Sequence, residues 1–420
     1  MCRQVDKTMM SKRAVMKVLI VNTSREKSST GKIAYGLYEK IISQGDDALF
    51  AYGIGRKEKG NKSLVKVTTR CEYECNKVVN LLTGYHGGFS PVSTYKLCKI
   101  IRIYKPDVVQ LYNLHGYYIN ISVLLNFLKK NHIPTVYSML DEYPYLGYCC
   151  YSYECDGFKT GCRHCANKWD TDYMRSLWLN RAKKTLEQKK KAYEGFEKVV
   201  FVGPKWVVQR AKESFLLKDK VLREVDEYID TEKIFRIRET DKLREKLGIA
   251  QDKIIILNVA PASDKRKGID FFVNVAQRME GTKFIFINVG YSDMGRELPT
   301  NFIGIPFLTD QVELAEFYSL ADLLMCSSIA DTMPNVCLDA LACGTPVCGF
   351  KVTGIPYVAK EPMGRFVDKN DMDGMIKIIE KTEKKSVAMK QMCREYAQSR
   401  YSLETYYSKM MEIYHELIER

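Results

Sequence analysis

Short apolar runs, almost unbroken by polar residues, alternate along this chain with amphipathic stretches of helical length, and the alternation starts twice. The first series covers 17–22, 48–53, 107–112, 134–139 and 199–202; the second covers 254–259, 283–288, 301–305, 323–326 and 346–350. Such runs suit strands buried on both faces of a parallel sheet. Strands separated by helices need right-handed crossovers onto one sheet, so the pattern predicts two α/β units. Between them, 219–250 has no strong strand and alternates in charge, which places the junction there. Leu403, Tyr407, Met410, Met411, Tyr414 and Leu417 recur at helical intervals and predict a long terminal helix with no strand after it. No 20–50 residue repeat appears, which argues against a solenoid or propeller.

Composition narrows the function classes. Hydrophobic residues make up 46% and charged residues 28% of 420, which excludes a disordered chain. Fourteen cysteines are too few for a disulfide scaffold of this length, so most thiols are expected reduced. No run approaches a membrane span, and residues 1–15 carry basic charge without a signal-peptide core. The expectation is a soluble, cytoplasmic protein. Its net charge of +14 favours acidic partners: nucleotides, nucleic acid or an anionic membrane face.

Ligands of open α/β sheets bind beyond the carboxyl ends of strands, so the turns there come first. After the first run, a Ser-rich turn leads through Gly31 and Lys32 into a helix, suited either to a plain N-cap or to an anion. After 254–259, Lys265-Arg266-Lys267-Gly268 sets three cations at a strand end, able to grip a diphosphate. After 323–326, Asp331 or Thr332 is placed to cap a helix that takes Pro334 in its first turn and ends at Gly344, with Asp339 two turns in. The helix start then lies between two carboxylates, ready for a diphosphate flanked by sugar hydroxyls.

Other segments stand out. Residues 143–166 form a long loop with five cysteines. Cys149, Cys155, Cys162 and Cys165, with Cys150 and His164 as spares, could hold a structural zinc or act as small buried hydrophobes; Cys149 and Cys150 are not distinguished. His115, on a Gly-bounded turn after a strand, is placed for an acceptor site. Lys183, Lys184 and Lys189–Lys191 lie on a predicted helix near Trp178, which reads either as a solvated face or as a contact with an anionic bilayer.

The block Asp331-x7-Asp339 inside Pro334-Asn-Val to Ala-Cys-Gly344-Thr-Pro-Val resembles the E-x7-E signature of the retaining family 4 glycosyltransferases. Lys267-Gly268 is similar to their donor loop, and Thr353-Gly354-Ile355-Pro356 to their T-G-G-I-P turn. Residues 113–120 and the 147–165 cysteine pattern look like a bacterial branch that builds surface polysaccharides. The resemblance implies the GT-B fold, two facing Rossmann-like domains with a C-terminal helix crossing back. Its divisions here are an extension at 1–15, an acceptor domain at 16–215, a donor domain at 216–400 and a returning helix at 401–420.

It implies transfer of a hexosyl group from a nucleoside diphosphate sugar to a growing glycan or lipid-linked saccharide, with retention and no catalytic cofactor. By the resemblance Lys267 and Arg266 hold the diphosphate, Asp331 touches the transferred sugar, Asp339 the ribose, and the amides of Asn335 and Val336 complete the phosphate site. Gly354 belongs to the donor side, Gly31 on the acceptor side faces the donor from the acceptor domain, His115 is an acceptor-side residue, and Asp141 is a polar contact to the acceptor hydroxyl. Nucleic acid is not an expected partner, and the inner membrane face is a candidate location. The chain also departs from the family: both signature acids are Asp, Leu140-Asp141 replaces His-Asp, Glu227-Tyr-Ile-Asp230 replaces N-G-I-D, and Thr353 replaces a glycine. A catalytically weak or inactive relative that binds a sugar nucleotide or a partner is the alternative.

Overall fold

Nearly every apolar run becomes a strand at or within a residue or two of its expected bounds, because a strand covered on both faces has little room for polar side chains. The first sheet is built from β1 (Lys17–Ser24), β2 (Asp47–Ile54), β3 (Leu64–Lys66), β4 (Val108–Leu111), β5 (Thr135–Ser138), β6 (Val199–Gly203) and β7 (Leu222–Glu224). The second contains β8 (Ile254–Val259), β9 (Phe284–Val289), β10 (Phe302–Ile305), β11 (Leu323–Cys326), β12 (Val347–Phe350) and β13 (Gly364–Val367). The computed structural model describes residues 14–25, 28–162, 165, 176–261, 263–292, 295 and 297–420. His164, Ala166 and positions 1–13 of the extension lie outside the described residues.

Strand order is β3-β2-β1-β4-β5-β6-β7 in one sheet and β10-β9-β8-β11-β12-β13 in the other. Counted from its own first strand, each sheet runs 3-2-1-4-5-6, the doubly wound order whose reversal leaves a crevice beside the first strand. All pairings are parallel, with Leu19 beside Leu49 and Val109, and Leu257 beside Ile287 and Leu324. The fold is therefore the expected pair of Rossmann-like domains.

The helix Leu403–Glu419 returns to the first sheet, as the fold class anticipates. Tyr406, Met410, Tyr414 and Leu417 share a core with Ile20, Phe50 and Val136. Tyr414 Oη donates to Gln110 Oε1 (2.9 Å) and Tyr406 bonds Tyr112 Oη (2.8 Å), so both phenols find partners inside the core. Two expectations change. The 219–250 segment does contain a strand, β7, a three-residue edge strand. Lys189, read as part of a basic face, is buried in the helix Ala182–Tyr193, and its ammonium donates to the carbonyls of Tyr143 and Leu146.

Candidate active site

Beyond β8, Asp264 accepts the Arg266 N–H (3.0 Å) and opens a 3-10 turn over Lys265–Lys267 that Gly268 closes at φ +64°. A Cβ on Gly268 would lie 2.1 Å from the Ser327 carbonyl, so only glycine lets the turns after β8 and β11 meet. Ser327 Oγ donates to the Lys267 carbonyl (2.8 Å) and seals that contact.

The turns converge on Asp331. Lys267 Nζ donates to Asp331 Oδ2 at 2.7 Å, and Arg266 Nη1 reaches the same oxygen at 3.3 Å. Burial opposes charge on this carboxylate, but Lys267 and Arg266 outweigh it and hold its pKa below the usual value. Burial likewise opposes the Lys267 ammonium, and Asp331 more than offsets that, so its pKa rises. Each charge is retained by the other.

Asp331 is also fixed through its backbone. Its N–H donates to Thr353 Oγ1 (2.9 Å), whose hydroxyl donates back to the Asp331 carbonyl (2.7 Å). Thr353 sits at φ +49°, a costly conformation for a β-branched residue, and these bonds hold it there. Gly354 donates its N–H to the same carbonyl (2.8 Å), and a Cβ on it would lie 1.6 Å from the Thr332 carbonyl. That N–H is therefore committed to the loop, and Gly354 braces Asp331.

The helix that follows runs Asn335–Ala342, with Pro334 at its cap position and no side chain bonding its first turn. This corrects the expected cap. Asp331 is engaged by cations, and Thr332 Oγ1 crosses to the first domain to donate to the Leu140 carbonyl (2.9 Å). The leading N–H groups of Asn335 and Val336 have no partner inside the helix, and the positive end of its dipole lies there. Asn335 Oδ1 and Asp339 Oδ1 are buried without a hydrogen-bond partner. Burial pushes the Asp339 pKa well above the carboxylate range, and the cation acting against this is Lys32 of the first domain.

Across the cleft, Gly31 starts the helix Ser29–Ser43, but its N–H already donates to the capping Ser28 Oγ (3.0 Å). The plain cap, rather than an open anion cradle, is what this turn forms. The acceptor-side candidates do converge: His115 Nε2 lies 3.4 Å from Asp141 Oδ2. Burial leads in lowering the His115 pKa, with Lys189 adding to it and Asp141 opposing. The histidine absent beside Asp141 in sequence is thus replaced in space by one from the turn after β4. Cys150 joins them, the three ligand atoms lying within 4.8 Å of one another. Lys189, its pKa brought down to about 7 mainly by burial, lies close enough to Cys150 and Asp141 for both to oppose that shift.

Two residues were not picked out from the sequence. Glu227, at the domain junction, is buried, and its pKa is pushed well above normal by burial and then by Asp331, Asp226 and Asp141. Its carboxyl lies near acids of both domains, which disfavour its charge. Tyr151, from the cysteine-rich loop, places its ring 4.8 Å beneath the Arg266 guanidinium. The departure of 227–230 from N-G-I-D was a signal for the first; nothing local marked the second. Cys149, Cys155, Cys162 and Cys165 line one pocket beside Phe158 and Ala182.

Comparison with known proteins agrees with this fold. Residues 239–400 match the family described as glycosyl transferases group 1. WcaC of Escherichia coli K12, whose name assigns it to colanic acid biosynthesis as a glycosyl transferase, is 23% identical over 381 residues, 86% of this chain and 90% of that protein. The alpha-galactosylglucosyldiacylglycerol synthase of Streptococcus pneumoniae is 26% identical over 168 residues, 37% of this chain and 44% of its own. Among solved structures, Anabaena HepE in complex with UDP superposes with a TM-score of 0.65 at 13% identity, over 96% of this chain and all (100%) of that one. The fold, the group 1 match in the second domain and these relatives identify the protein as a glycosyltransferase.

Proposed function

We propose that this glycosyltransferase moves a hexosyl group from a nucleoside diphosphate sugar to a growing glycan or a lipid-linked saccharide, with retention of configuration. The observation that carries the reading is the meeting of Lys267, Arg266 and an uncapped helix start at one edge of the cleft, with the orphaned Asn335 and Asp339 oxygens alongside. A departing nucleoside diphosphate gains negative charge as the glycosidic bond breaks. Two cations and the Asn335 and Val336 amides are preorganised to receive it. Asp331, released from part of its pairing as Lys267 turns to phosphate, accepts from a sugar hydroxyl, and Asp339 accepts from the ribose.

The acceptor hydroxyl enters from the His115 and Asp141 side. In a same-face displacement its oxygen bonds the anomeric carbon as the bond to the diphosphate breaks, and its proton passes to the leaving phosphate oxygen. UDP and UDP-glucose bound to HepE make uridine donors the first to test.

A lipid-linked acceptor finds support in an exposed apolar strip. Leu177, Trp178 and Leu179 are exposed beside Leu81 and Leu82, Leu177 N–H donates to the Leu81 carbonyl (2.8 Å), and Lys183 and Lys184 follow. Among the described residues no helix is long and apolar enough to cross a membrane. The test is a transfer assay with a panel of nucleoside diphosphate sugars, with and without anionic vesicles carrying acceptor, and with product anomers assigned by NMR. An α-linked product from an α-linked donor is expected. Nucleotide binding without turnover for every donor and acceptor would leave a binding protein instead.

A further inference from the structure

We infer that Cys149, Cys155, Cys162 and Cys165 form a structural zinc site that holds the 143–165 loop against the donor turn. The loop is long for a compact domain, and among its described residues its only regular element is the 3-10 turn Gly157–Lys159. Four of its five cysteines nonetheless line a single pocket, walled by Leu146, Phe158 and Ala182, and all four are free thiols.

Backbone N–H groups point at two of these sulfurs. Gly157 N–H donates to Cys155 Sγ (3.4 Å), and a second N–H, from Gly147, is directed at Cys162. N–H groups aimed at sulfur favour the thiolate, the form that binds metal. The chain enters the third cysteine through two left-handed residues, Gly161 (φ +92°) and Cys162 (φ +52°), a reversal just after the 3-10 turn.

Without a cation, thiolates cannot gather here. Four thiolates around one largely apolar pocket would repel one another with little water to screen them. A divalent ion inverts that balance, since four mutually unfavourable charges become four ligands. Soft sulfur donors select zinc over magnesium or calcium. Binding displaces the thiol protons to solvent and transfers no electrons.

Among the described residues, the group of ligand atoms within 4.8 Å of one another is His115, Asp141 and Cys150, not these sulfurs. The loop must therefore draw in around the ion, which makes its order metal-dependent. That order reaches the catalytic cleft, because the loop sets Tyr151 under Arg266 and pairs Glu154 with Lys369 (2.9 Å) across the domains.

The test is elemental analysis of the full chain purified without chelator from zinc-supplemented culture. About one zinc per chain is expected, falling to about zero in Cys162→Ser/Cys165→Ser and in Cys149→Ser, but kept in Cys150→Ser. Because the variants may not fold, the wild-type protein supplies a second arm. Chelation should lower its melting temperature by several degrees, with recovery on adding zinc chloride but not magnesium chloride. Wild-type protein without zinc, four cysteines found in disulfides by mass spectrometry, or a melt unchanged after the metal is stripped would each overturn the assignment.

Discussion

β1 and β8 end on the same plan, but the helix starts that flank the cleft in the two domains differ in chemistry. Each strand presents a buried asparagine near its carboxyl end that reaches the neighbouring strand across the switch point: Asn22 accepts the Asn113 N–H (3.2 Å), and Asn258 donates to the Met325 carbonyl (2.8 Å) and Ser327 Oγ (3.0 Å). In the first domain the helix beyond is closed by Ser28. In the second, the helix after β11 has proline at its cap position and no side chain on its first turn, while two cations stand beside it. A repeated scaffold gains an anion site where local hydrogen bonding is left incomplete.

This contrast can be broken most sharply at Lys267. Lys267→Ala should lower kcat/KM by about 100- to 1,000-fold, the usual effect of removing one donor to developing negative charge. Steady-state kinetics on a variant with wild-type circular dichroism checks it, and a loss under about fivefold would move the diphosphate elsewhere.

The domains should also part with pH. Burial lowers the pKa of His86 and His115 in the folded first domain, so below about 6.5 the unfolded chain takes up protons that the native one refuses, and stability falls with pH. Asp331 behaves in the opposite sense. Its depressed pKa contributes stability that is complete above about 3.9 and is lost only as pH falls through the folded value. All three tryptophans, Trp169, Trp178 and Trp206, lie in the first half, so tryptophan fluorescence melts should drop between pH 7 and 5 before the far-ultraviolet signal of the second domain does. Coincident transitions, or an unchanged profile in His86→Asn, would contradict this.

The smallest effects test the caps. Ser28→Ala should cost about 1 kcal/mol of stability and leave donor KM unchanged. Pro334→Ser should give the second-domain helix a cap of its own, stabilise it by up to about 1 kcal/mol, and weaken donor binding several-fold as the hydroxyl competes for the amides. A raised donor KM in the first variant, or none in the second, would reverse the roles assigned to the two turns.

The strands read from the sequence are those whose runs are nearly all apolar, including β10 (Phe302–Ile305) at a sheet edge. β3, β7 and β13 escaped notice because they lie at sheet edges and carry polar residues such as Lys66, Arg223, Glu224 and Arg365, which a one-sided strand tolerates. Within the site, the cationic turn was legible because glycine and clustered charge punctuate it locally. The cap was not, since Asp331 and Thr332 satisfy any local capping rule and only their partners, Lys267 and Leu140, draw them away.

The sequence by itself determined two α/β units, the place of each strand-end turn and the returning amphipathic helix, because hydrophobic period and turn residues act over a few positions. Tertiary structure alone decided that His115 meets Asp141, that Thr332 bridges the domains, that Lys189 turns inward and that Tyr151 lies under Arg266. These contacts join residues whose separation along the chain carries no period; strand order and domain packing set their distances.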